Sequence, residues 1–186
     1  MSDKLIQIIK AIGSFTDDEI DFFVSRLKEQ FIPKGEHFLT EGQVSRHLGF
    51  IVSGIGMHYR NYEGVEIPTD FTIENEWLGY LNSFTNKTVS DMNIKVLEDT
   101  QLLTLSAEDF EKVYLFQPKF ILLKDYYTEL SFINHTRHTA DLAMLDAKQR
   151  YYKFMKEKPH LVNRVPQYYI AAYLGIKPQS LSRIRK

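Results

Sequence analysis

The chain has no cysteine among its 186 residues. That absence excludes disulfides, iron–sulfur clusters, thiolate zinc sites and cysteine nucleophiles together. No apolar run approaches the roughly 18–20 residues a membrane span requires. The N-terminus, MSDKLIQIIK, has a short amphipathic start without a long apolar region or cleavage site, so secretion is not expected. No strand–helix alternation with a glycine-rich phosphate loop occurs, which disfavours dinucleotide-binding and P-loop folds. Internal repeats and low-complexity stretches are absent as well. No nucleophile–base pair or carboxylate pair stands out, so no catalytic residue is assigned and an enzyme is the least favoured class. What remains, at 44% hydrophobic and 25% charged residues, is a globular chain of one domain or two small ones.

A net charge of −1 hides an asymmetry. Residues 151–186 hold eight Lys/Arg against one acid, Glu157, whereas residues 1–150 hold fifteen against twenty-three. An acidic body with a basic tail is the electrostatic footprint of a nucleic-acid module. The last twenty residues, QYYIAAYLGIKPQSLSRIRK, also carry the spacing of a helix-turn-helix. Ile170, Ala171 and Leu174 share one face of a first helix. Gly175 falls where a sharp turn needs positive φ, which glycine adopts without steric cost. Ile176, Leu181 and Ile184 continue the apolar pattern, and Pro178 suits the first turn of a second helix. Gln179, Ser180, Ser182, Arg183 and Lys186 are then left facing outward, an inventory suited to base edges and phosphates. An ordinary αα-hairpin capping a core would show the same apolar spacing; the charge favours DNA.

Upstream, three textures follow one another. Leu5, Ile8, Ile9 and Ile12 are at helical spacing, and Thr16 is placed to cap a second helix with an acidic first turn, Asp17, Asp18 and Glu19. From about Phe31 to Leu105, short apolar runs alternate with turn signals at Lys34-Gly35, Glu41-Gly42, Ser53-Gly54 and Glu63-Gly64, the pattern of a β-sandwich or barrel. Ser106 then caps a helix at 107–116. A long helix is predicted from after Pro118 to about Lys156, with a heptad through Leu123, Tyr126, Leu130, Ile133, Arg137, Ala140, Met144, Ala147 and Tyr151. Arg137 interrupts the seam, either as a solvent-reaching stem or as the partner of an acid across a dimer. The two prolines of PHLVNRVP mark a hinge at 159–166. His135 and His138 lack a third ligand and read as solvated helix residues; His37, His47 and His58 lack the His-x-His spacing of a cupin metal site. No metal or cofactor is assigned.

The order β-region, long seam helix, helix-turn-helix resembles the Crp/Fnr family of bacterial transcription regulators. The resemblance rests on PKGEHFLTEGQ, LGFIVSGIGMHY, VLEDTQLLTLSAEDF, DAKQR at 146–150 and the terminal VPQYYIAAYLGIKPQSLSRIRK, which is similar to Bacteroidetes members. It implies an α+β fold: an antiparallel, jelly-roll-like β-roll sensor with flanking helices (1–117), a long dimerisation helix (118–157) and a helix-turn-helix (158–186). It implies a cytoplasmic homodimer paired through Leu123, Tyr126, Leu130, Ile133, Ala140 and Met144, bound to an inverted-repeat operator in double-stranded DNA. RNA polymerase and a small-molecule effector are further partners it implies, and no membrane is involved. By motif position, Pro178, Gln179, Ser180 and Arg183 read bases, while Lys177, Ser182, Arg185 and Lys186 contact phosphates. The chain stops at Lys186, where family members continue into further helix or a wing, so it is either minimal or shortened.

The resemblance also implies where an effector sits, and there the chain departs from the pattern. Gly-Glu-Leu of the cyclic-nucleotide cassette is Gly79-Tyr80-Leu81 here, and the Arg-Ser pair falls at Ser90-Asp91. The cyclic phosphate loses its arginine and gains a neighbouring carboxylate, so cyclic AMP is not expected to bind and the effector is unknown. Trp77, Tyr80, Phe84 and Met92 either line a modified cavity or, more simply, fill the roll. Two other readings stay open: a dimeric β-roll sensor or interaction protein whose basic tail contacts a protein partner, and, more weakly, a cupin-like metal enzyme.

Overall fold

The computed structural model describes residues 3–185. The chain forms two compact units, one taking it up to His58 together with Phe71–Leu130, the other taking Tyr59–Asp70 and the chain from Ser131 onward.

Two helices open the first unit, α1 (Asp3–Ile12) and α2 (Asp17–Val24). Thr16 caps α2 as its sequence position predicts: its hydroxyl accepts from the Glu19 amide, and the Glu19 carboxylate accepts from the Thr16 amide at 2.7 Å. The strands follow as β1 (Lys28–Ile32), β2 (His37–Leu39), β3 (His47–Ser53), β4 (Gly56–Tyr62), β5 (Val65–Thr72), β6 (Trp77–Leu78), β7 (Asn93–Val96) and β8 (Thr100–Ser106). A short helix, α3 (Leu81–Asn86), lies between β6 and β7. Helix α4 (Ala107–Phe116) is capped by Ser106, whose hydroxyl accepts from the Asp109 amide. A 3-10 turn at Pro118–Phe120 leads into α5 (Ile121–Met144).

The strands build two sheets, β1-β8-β3-β6 and β2-β7-β4-β5. The pairings β1–β8, β3–β8, β3–β6 and β2–β7 are antiparallel, with Phe50 opposite Leu103 and Phe31 opposite Gln101. The α+β class and the antiparallel roll that the resemblance implies are the architecture observed, and its β-region is where the strand-and-turn rhythm places it. Ile32, Leu39, Ile51, Leu78, Ile94, Val96 and Leu102 fill the space under the sheets. A second cluster joins the helices to the roll: Leu5, Ile9, Ile20, Phe23, Phe120 and Leu123 pack with Phe50, Leu103 and Leu105. Leu123, counted in the seam, is thereby spent in this core, just where α5 begins.

Two positions generate tests. At Gly54 φ is +112°, and a Cβ there would meet Thr100 Oγ1 and lie 2.8 Å from Thr100 Cα. Gly54→Ala therefore combines backbone strain with overpacking and should destabilise the unit by about 2–4 kcal/mol, read as a lower urea midpoint. The Glu19 carboxylate takes Lys119 Nζ at 2.6 Å and Gln117 Nε2 at 2.6 Å besides the Thr16 amide. The Lys119 hydrogen bond, then the Thr16 amide, hold its pKa down at about 2 from 4.5, against the opposing effect of burial. Its contribution to stability is complete above about pH 4.5 and is lost as pH falls through about 2. Glu19→Gln should accordingly flatten the stability profile across that acid window, as followed by urea melts at stepped pH.

Candidate functional site

The second unit starts within α5 and departs from the single long helix that the heptad predicts. The helix ends at Met144, and α6 spans Ala147–Glu157. Asp146 is the cause: its carboxylate accepts from the Gln149 amide at 2.9 Å while the Gln149 side chain accepts from the Asp146 amide at 3.0 Å. A capping box of this kind starts a new helix rather than extending an old one. Tyr151, placed in the seam by the heptad, is instead buried on α6. The hinge expected at 159–166 contains a single helical turn, α7 (Pro159–Val162).

Two short helices close the unit, α8 (Gln167–Tyr173) and α9 (Pro178–Ile184). The Gly175 amide bonds to Ala172 O at 3.0 Å and the Ile176 amide to Ala171 O at 2.8 Å, with Gly175 at φ +62°. This is the Schellman closure, in which a left-handed residue satisfies the last carbonyls of the helix and turns the chain sharply. Ile170, Ala171, Leu174, Ile176 and Leu181 are all buried, and Pro178 sits in the first turn of α9. Lys177, Gln179, Ser182, Arg183 and Arg185 are exposed with Pro178, and Ser180 is half-buried. Lys186 lies outside the described residues.

Arg150 on α6 ties these pieces together. Its Nε donates to Leu174 O at 2.7 Å, Nη1 donates to Leu145 O, and Nη2 reaches Gly175 O at 3.5 Å. One guanidinium thus satisfies carbonyls just past the end of α5 and in the turn before α9. The tip of the β4–β5 hairpin also belongs to this unit. The buried Tyr169 hydroxyl donates to the Glu66 carboxylate, and Asp70 lies 3.6 Å from Lys158 Nζ and 3.8 Å from His135 Nε2. Burial, then the Glu66 hydrogen bond, push the Tyr169 phenol well above its usual range.

His138 is not the solvated histidine expected. It is half-buried and stacks on Tyr173 with centroids 4.0 Å apart and planes 4° from parallel. Burial, then the charge of Lys158, hold its pKa below the ordinary value. Along the rest of α5 the apolar seam is open: Tyr126 is 47% exposed and Met144 81%, and Leu130, Ile133 and Ala140 are exposed too. Nothing in the sequence spacing points to the Glu66 and Asp70 contacts, because they join residues far apart in the chain, 103 positions for Glu66 and Tyr169.

In the roll, the residues considered for an effector serve packing first. A Cβ at Gly79 would lie 2.5 Å from Leu48 Cδ2, and the half-buried Tyr80 packs on the sheet core just before the half-buried Leu81. The Ser90 hydroxyl is buried, donating to Met92 O at 2.7 Å and accepting from Met92 N at 3.0 Å. Asp91 is exposed. Trp77 meets Phe50 edge-on at 5.6 Å, and Phe84 meets Phe110 at 5.2 Å. His37, His47 and His58 lie on three different strands, and among the described residues no cluster of three or more His, Asp or Glu side chains is placed to hold a metal ion.

Residues 29–115 match a family model, the cyclic nucleotide-binding domain. The roll has that family's pattern. The fold as a whole is shared with Crp/Fnr-type regulators of known structure. FixK2 from Bradyrhizobium japonicum superposes with a TM-score of 0.74 at 17% identity, covering 86% of this chain and 82% of its own. A regulator of the Crp/Fnr family from Eubacterium rectale gives 0.71 at 16%, covering 91% and 82%. The c-di-GMP-responsive global regulator CLP of Xanthomonas campestris gives 0.70 at 16%, covering 91% and 89%. No curated protein matches in sequence. Among the described residues no helix is long and apolar enough to cross a membrane.

Within the cyclic nucleotide-binding segment, the two positions that the resemblance gives to ribose and phosphate hold an aromatic ring and a hydroxyl already bonded to backbone. The better-defined machinery is in the second unit, and Arg150 tests it. Arg150→Ala leaves two carbonyls without donors and should destabilise this unit by about 2–4 kcal/mol in thermal or urea unfolding. Arg150→Lys should recover less than half of the loss, because an ammonium cannot reproduce the guanidinium fork.

Proposed function

We propose that the protein is a homodimeric, sequence-specific DNA-binding transcription regulator of the Crp/Fnr type that acts in the cytoplasm without cyclic AMP. The reading is carried by α9, a helix presented beyond a Schellman turn whose exposed side chains are Gln179, Ser182 and Arg183, flanked by Lys177 and Arg185. Leu181 is buried on its inner face and Ile176 in the turn before it, so the outer face is available to a groove. Gln179 can pair bidentately with adenine and Arg183 with guanine, each worth about 1–3 kcal/mol of discrimination. Lys177, Ser182 and Arg185 contact phosphates, and Pro178 and Ser180 face bases beside Gln179 and Arg183.

Dimerisation rests on the open apolar seam of α5. Tyr126, Leu130, Ile133, Ala140 and Met144 recur at heptad spacing, and exposed apolar stripes of this kind mark association surfaces. Two copies paired along α5 bring two α9 helices to successive major grooves about 34 Å apart, so the operator is an inverted repeat. A small-molecule effector and RNA polymerase are the remaining partners of such a role. The cyclic AMP exclusion is supported by Tyr80 and by the absence of an arginine at Ser90-Asp91.

Selection of bound duplexes from a random DNA pool at about 0.1–0.15 M salt tests the reading. An enriched inverted repeat is the expected result. A flat pool whose binding vanishes as salt rises would favour a basic tail serving a protein partner. On the selected site, Arg183→Ala should relax preference at one base pair with a loss of about 1–3 kcal/mol, whereas Lys177→Ala should weaken all sequences alike and reduce the salt slope by about one. Equal losses for Arg183→Ala on specific and random DNA would remove it as a base reader.

A further inference from the structure

A small cavity of about 70 Å3 lies inside the second unit, where α5, α6, the start of α7 and α8 meet. Its cations are Arg137, Arg150, Lys153 and Lys158, and its acids are Asp141 and Glu157, an excess of two positive charges with His138 neutral. The pairings are unequal. Arg150 is committed to carbonyls, and Lys153 lies 2.6 Å from Asp141. Lys158 is 5.6 Å from the Tyr173 ring centroid and finds its carboxylate, Asp70, outside the cavity lining. Arg137 has no hydrogen bond or ion pair among the described residues.

The uncancelled charge is felt by His138 on the cavity wall. After burial, Lys158 is the strongest influence lowering its pKa and His135 adds to it; Asp70 and Asp141 oppose them. The stacked His138–Tyr173 pair and Phe154 make the remaining wall flat and apolar. A site of this size and charge admits a tetrahedral oxyanion. A guanidinium fork without a partner is the side chain best matched to such an anion, since it can donate two parallel hydrogen bonds to one phosphate.

We propose that this cavity binds a phosphate group, as the free anion or as the phosphate of a small monoester, with Arg137 and Lys158 as its cationic contacts. The apolar heptad is broken at Arg137 because that side chain serves the cavity rather than the seam. Occupancy joins Arg137 and His138 of α5 to Tyr173 of α8, and so fixes the helix that carries the turn into α9. The inference concerns the effector and stands apart from the DNA reading, because its test uses no DNA.

The test is the imidazole NMR titration of His138 in the full chain, in sodium phosphate, in glycerol phosphate and in sodium chloride at matched ionic strength. A dianion beside His138 should move its midpoint up by about one pH unit relative to chloride, with a saturable dependence at millimolar phosphate. The more exposed His135 reports general screening. Arg137→Gln, a surface change that leaves the buried contacts intact, should weaken the response at least about tenfold. Saturation by both phosphates supports the free anion, and saturation by glycerol phosphate alone supports a monoester. A His138 midpoint that matches the chloride control in both, or a response undiminished in Arg137→Gln, would overturn the proposal.

Discussion

The second unit depends on the grip of the Arg150 guanidinium on two backbone carbonyls, Leu145 O and Leu174 O. Helices end with carbonyls that have no intrahelical donor, and each must be satisfied if it is not to cost stability. At Leu145 and Leu174 the donor is the same side chain. That shared donor couples the end of α5 to the turn that aims α9. The turn before α9 is therefore tied to Leu145 by one planar, permanently charged group rather than by a flexible linker. Ile133, Ala140 and Met144 of α5 and the exposed polar residues of α9 belong to the same unit, and this tie joins the two stretches.

The roll tells a different story about the same chain. It keeps the pattern of a cyclic nucleotide-binding domain over residues 29–115. Yet Tyr80 packs against its core, and Ser90 spends its hydroxyl on Met92. A fold can be retained for packing while the ligand chemistry at its site drifts, since the strands need only their apolar alternation and turns. The charged, concave environment lies instead among Arg137, His138, Lys153 and Lys158 of the other unit.

Local chemistry was legible in the residues themselves. Thr16 and Ser106 were readable as caps, and Gly175 and Pro178 as the punctuation of two helices, because caps and turns are set by neighbours within a few positions. The strand-and-turn rhythm marks a β-sandwich or barrel for the same reason, while the antiparallel roll follows from the family resemblance. Asp146 and Gln149 have the spacing of a capping box, but the apolar heptad continues through them and predicts one uninterrupted helix. Long-range partners were not legible at all. Glu66 and Tyr169 are 103 positions apart, and the His138–Tyr173 stack pairs residues on different helices. Periodicity says which face of a helix is covered, not which ring covers it.

In the proposed regulator two α9 helices are held together across an α5 pair, on one face of the duplex. The most direct test of this arrangement is helical phasing: affinity for two half-sites whose centres lie about 10, 15 and 20 base pairs apart. Rigid coupling requires tight binding at about 10, near loss at about 15, where the second half-site faces away, and at most partial recovery at about 20. Equal affinity at all three spacings, or a single half-site binding as tightly as the pair, would contradict it.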